Sequence, residues 1–205
     1  MSKLALVLVV MTAPLWTAIG PVDSFAYPPA VGILGKATNC LSCHVSNGAW
    51  KDDDKTIIDI LDKDTQRSLR RPDDNSFLIE VKRGQVRTVL TVLGVRRAAE
   101  IEPPYRNAWL YVDPRTIGSS SLSKFAPGWE VNLPMSCRIA GDPLEGYAEA
   151  RISVLPMSLR PSDAAQDAEI VLQVMLTRGE SVKGSAKEGL LGSYFERKVT
   201  LKVSE

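Results

Sequence analysis

The sequence predicts a mainly β protein, an immunoglobulin-like antiparallel β-sandwich preceded by a short N-terminal segment of different character. Three observations carry this. About eight short runs rich in β-branched and aromatic residues follow one another, separated by Pro, Gly and Asp turns. One of them, Phe195–Val203, alternates cleanly, with Val199, Leu201 and Val203 on one face and Lys198, Thr200 and Lys202 on the other. No long stretch carries the helical period.

In order, the expected strands are Thr56–Asp62, Phe77–Lys82, Val86–Val95, Ala108–Val112, Trp129–Leu133, Tyr147–Leu155, Glu169–Leu176 and Phe195–Val203. Lys63 to Gln66 and Arg83-Gly84 read as turns, and Arg160 to Gln166 and Arg178 to Ser193 as polar loops. Ile79, Val81, Leu90, Val92, Val199 and Leu201 are the expected core. The domain boundaries follow: residues 1–26, 27–55 and 56–205.

Residues 1–26 read as a secretory signal peptide. Lys3 supplies a basic start, an apolar run extends from Leu4 to Ile19, and Ser24-Phe25-Ala26 places small residues at the −3 and −1 positions. An uncleaved N-terminal anchor is the alternative. No later apolar run reaches the roughly 18 residues a spanning helix needs. The expectation is an exported protein, in the periplasm or an equivalent space, with no stable membrane span after cleavage.

The formal net charge of +1 argues against a nucleic-acid binder. Charge is uneven, however. Arg67 to Arg97 holds eight basic residues against Asp73, Asp74 and Glu80. This is either a solvated strand face or a docking patch for an acidic redox partner.

The chemistry sits in Cys40-Leu41-Ser42-Cys43-His44. Two cysteines two residues apart with histidine directly after form the pattern for covalent attachment of a c-type haem. The two thiols add across the porphyrin vinyl groups, and the short turn leaves His44 beneath the iron as an axial ligand. His44 is the only histidine in the chain. A structural zinc site would need four Cys/His ligands from a chain with three cysteines and that one histidine. A redox dithiol would sit near a βαβ pattern, which this sequence lacks. Residues 27–55 therefore form the haem-binding segment, with a short helix expected around Lys36 to His44 and Trp50 available to pack on the haem. The third cysteine, Cys137, has apolar neighbours and reads as a buried thiol.

With its Tyr-Pro pair directly after the expected cleavage site, then CxxCH, then a β-rich body, the chain resembles cytochrome f. That resemblance implies that the α-amino group of Tyr27 is the sixth iron ligand. The spacing from Tyr27 to Cys40 is shorter than in that family. An α-amine loses its proton at pH 7 for about 1 kcal/mol, against roughly 4.6 kcal/mol for a lysine. Met135, Met157, Met175 or an open site are the alternatives. The function expected is that of an electron carrier with one haem c and no enzymatic activity of its own, working between redox protein partners. A haem with an open distal site that binds a small ligand or does catalysis, and a cytochrome subunit of a larger oxidoreductase, are the competing readings.

Overall fold

The computed structural model describes residues 39–47, 55–96, 105–117, 125–132, 135–179 and 192–205. Residues 1–26, Tyr27, Trp50 and Arg97 lie outside them.

Nine strands among the described residues form two sheets. They are β1 (Thr56–Asp62), β2 (Phe77–Lys82), β3 (Arg87–Arg96), β4 (Tyr105–Val112), β5 (Trp129–Val131), β6 (Met135–Ile139), β7 (Ala150–Pro161), β8 (Ala168–Arg178) and β9 (Gly192–Ser204). One sheet has the order β1-β3-β7-β5, the other β2-β9-β8-β4-β6. The fold is the immunoglobulin-like β-sandwich expected from the sequence. No helix among the described residues is long and apolar enough to cross a membrane.

The main core lies between the sheets. Ile58 and Ile60 of β1, Val89, Leu93 and Val95 of β3, and Met157 and Leu159 of β7 belong to the same buried cluster as Phe77, Ile79, Trp109, Ile170, Leu172, Val199 and Leu201 of the other sheet. Each aliphatic side chain so buried contributes about 1.5–3 kcal/mol. Two polar contacts cross or line this core. Thr91 and Tyr111 share a hydrogen bond of 2.7 Å across the gap, and Asn107 Nδ2 donates to Leu93 O at 2.8 Å. Burial holds the Tyr111 hydroxyl well above the ordinary phenol range.

All six side chains expected in the core are buried. Leu90 and Val92, however, sit with Leu61 and Ile152 in a second cluster, packed by Leu144 and Tyr147. Strand β3 is thus buried on both faces, which is why its sequence runs apolar without alternating.

Three features differ from the sequence expectation. β2 and β9 pair in parallel, Phe77 opposite Val199 through Lys82 opposite Ser204. Alternation fixes which face of a strand is buried, not its direction, and these two strands are joined by no local turn. β7 runs on through Pro156 to Pro161, where a loop was expected from Arg160. β6 was not anticipated at all.

Three of the basic residues between Arg67 and Arg96 make scaffold contacts. Arg70 lies 5.5 Å from the Phe77 ring centroid and donates to Ile58 O. Arg83 Nη1 donates to the carbonyls of Ser162, Asp163 and Ala165, each at 3.1 Å, while its Nη2 pairs with Glu205. Arg87 Nη2 holds Asp62 Oδ2 at 2.8 Å. Asp62 titrates near 2, lowered first by the Thr65 amide and then by Arg87.

Candidate functional site

The CxxCH segment forms a single tight turn. Cys40–Ser42 is a 3₁₀ helix, and the Cys40 carbonyl accepts from the Cys43 amide at 3.2 Å and the His44 amide at 2.9 Å. The second of these is an α-type bond, so the turn expected around this motif exists in minimal form. Residues three and four apart in such a turn lie on one side of it. Here, however, Cys40 is buried against the sheet while Cys43 is exposed and His44 is half-buried.

The turn rests on the outer face of the five-stranded sheet, over β4 and β8. Strand pairing explains the bed beneath it. Ala108 stands opposite Cys137 on one side and Met175 on the other, and Met175 stands opposite Tyr194. The next row on the same face runs Met135, Leu110, Gln173 and Glu196. Cys40, Leu110, Val112 and Met175 form a buried cluster, with Leu41, Met135 and Tyr194 packed against it. Just past the turn, Asn47 pairs with the start of β9. Its amide donates to Gly192 O at 2.8 Å and its Oδ1 accepts from Gly192 N at 2.9 Å.

The three thiols are free and differ in setting. Cys40 is 7% exposed, and burial, followed by the nearby Cys137 thiol, pushes its pKa up to about 12. Cys137, expected to be buried, is partly so, and burial raises its pKa as well. Cys43 is exposed. At pH 7 a thiol titrating near 12 is ionised to only about one part in 10⁵. Alkylation of the folded, haem-free chain is therefore expected at Cys43 first. Peptide mapping after a short iodoacetamide pulse should find Cys40 unmodified until denaturant is added. Equal labelling of Cys40 and Cys43 in the folded chain would contradict this packing.

No family model and no curated protein matches the chain. Among solved structures, it is similar to the ASH/PapD-like domain 7 of human CEP192, at 12% identity and a TM-score of 0.35 over 79% of this chain and 94% of that one. It is also similar to a CARDB domain of the PF1109 protein from Pyrococcus furiosus, described in complex with di-metal ions. That match has 11% identity and a TM-score of 0.28, over 77% of this chain and all of the other. At these scores neither neighbour informs the chemistry of the turn.

The methionines are separated by the fold. Met157 belongs to the core between the sheets, on the far side of β4 and β8 from the turn. Met135 and Met175 share the cluster with Cys40. No group of three or more His, Cys, Asp or Glu side chains among the described residues is arranged to hold a metal ion. Zinc ligation by Cys40, Cys43, His44 and Cys137 together thus has no support in the geometry. The donor set does suit a covalent haem: two free thiols and one imidazole on a single turn, above an apolar bed. What the sequence missed was the bed, and above all Gln173, a lone polar residue at an outward position in the apolar run Ile170–Leu176.

Proposed function

We propose that this chain is an exported c-type cytochrome that carries single electrons between redox protein partners through one haem c. The observation that supports this most is the CxxCH turn itself, folded as one helical turn and docked on an apolar sheet face rather than left as a solvated loop. Cys40 and Cys43 would hold the group as thioethers, each S–H adding across a vinyl double bond with no change in oxidation state. His44 would ligate the iron. The haem, when bound, supplies a one-electron couple.

The chain's own contribution is to position and shield. Leu110, Val112 and Met175 keep water from one side of the turn, which lowers the local dielectric around a charged iron. Because Cys40 faces the sheet, its thiol addition precedes docking of the turn. For a further iron ligand, the place of Met157 between the sheets favours Met135, Met175 or the Tyr27 amine over it.

Intact mass of the protein purified from a host that matures c-type cytochromes tests this. The expected result is the chain from Tyr27 to Glu205 plus one haem, retained after acid–acetone treatment. Haem that extracts, or a mass without haem, would reject the proposal.

A further inference from the structure

Among residues 39–47, which carry the CxxCH turn, Cys40 is the one buried side chain, set against Leu110, Val112 and Met175. At the far end of this segment Asn47 makes two hydrogen bonds to one residue. Its amide donates to Gly192 O at 2.8 Å, and Gly192 N donates to its Oδ1 at 2.9 Å. Gly192 is the first residue of β9, and Tyr194, two residues on, packs against the cluster that covers Cys40. The tie is thus made at the margin of the bed itself.

This attachment is of a different order from the one that holds the sandwich. The segment buries a single small side chain, whereas β8 alone buries several large ones. Asn47 is exposed, so water competes for its hydrogen bonds. A segment with little buried apolar surface and solvent-exposed hydrogen bonds opens locally, at lower cost than global unfolding. Six residues separate Cys40 from Asn47, so closing Asn47 on Gly192 keeps Cys40 near its bed at little further entropic cost.

We propose that the Asn47–Gly192 pair is a latch: it holds the CxxCH turn shut over Cys40, and its opening exposes that thiol while the sandwich stays folded. Given the haem attachment proposed above, on which this consequence rests, the open state is the one in which a folded chain presents Cys40 to a vinyl group. The S–H adds across the double bond, so the sulfur needs a clear approach but no oxidant. Cys43 is already exposed and needs no such opening. The latch therefore acts on one of the two thioethers.

The test is the rate at which iodoacetamide labels Cys40 in the folded, haem-free chain, read by peptide mass with Cys43 as the internal reference. Prolonged labelling of wild type should reach Cys40 slowly, with a urea dependence well below that of global unfolding. Asn47→Ala removes the side-chain acceptor. It should speed the labelling of Cys40 about three- to tenfold, the reach of one net hydrogen bond, and leave Cys43 unchanged. Asn47→Asp keeps an acceptor for Gly192 N and should return the rate to within about twofold of wild type. A Cys40 rate that follows global unfolding in urea, or one unchanged in Asn47→Ala, would overturn the latch. Chains that emerge without haem from a host that matures c-type cytochromes would instead reject the cytochrome reading, and the labelling result would still decide the latch.

Discussion

Gly94→Ala is expected to destabilise the domain by about 4 kcal/mol and lower its melting temperature by roughly 10 °C. Gly94 lies within β3, between Ile57 of β1 and Ile152 of β7. Its φ is +155°, and a Cβ there would stand 2.0 Å from Arg151 O and 2.8 Å from Ile152 Cα. Both are backbone atoms of the neighbouring strand, so no side-chain rotation relieves the contact. The β3–β7 ladder must open instead, and that ladder is the middle of its sheet. Gly84→Ala is the matched control. Its φ is +71° but nothing lies within 4 Å of the added carbon, so about 1 kcal/mol is expected from backbone strain alone. Thermal unfolding of both variants decides the matter, and equal losses would contradict the close approach at Gly94.

The second large effect concerns the iron of the proposed haem. In haem-loaded protein, His44→Ala should abolish the low-spin spectrum, since the chain has no other imidazole, while leaving the haem mass in place on Cys40 and Cys43. The haem-free variant should still fold, because His44 is only partly buried and lies outside the named strands. A low-spin spectrum retained in His44→Ala would remove the residue from its proposed role. Companion variants then address the sixth ligand. Met175→Leu and Met135→Leu probe the cluster at Cys40, and one residue added ahead of Tyr27 probes the amine. Loss of the iron–methionine charge-transfer band in one methionine variant would name that sulfur.

Much of this was written locally in the chain. The strand Thr56–Asp62 and the strand Phe77–Lys82 coincide residue for residue with their sequence patterns, because each is bounded by unmistakable turn chemistry. The CxxCH motif is likewise a local pattern, set by a spacing of two residues. β6 was not legible, because Met135-Ser136-Cys137-Arg138-Ile139 is short, follows Pro134 and sits at an edge with no buried member. Nor could the pattern reveal that Cys137, Met135 and Met175 gather around Cys40. That neighbourhood comes from lateral pairing of β6, β4 and β8, and pairing partners leave no mark in the periodicity of one strand. Gln173 did leave a mark. A single amide among Ile170, Val171, Leu172, Val174, Met175 and Leu176 is a local conflict of polarity visible in the sequence itself.

The placement of the turn also has a consequence in time. Cys40, Cys43 and His44 leave the ribosome early, whereas their bed is drawn from β4, β6, β8 and β9, which end only at Ser204. At about 5–20 residues per second, the intervening stretch of roughly 150 residues takes on the order of 8–30 s to appear. Throughout that interval the motif has no sheet to dock on and both thiols are open. Once β9 arrives, Asn47 closes against Gly192 and Cys40 turns inward. The order of the chain thus leaves Cys40 accessible until its bed has formed, and the finished domain covers it.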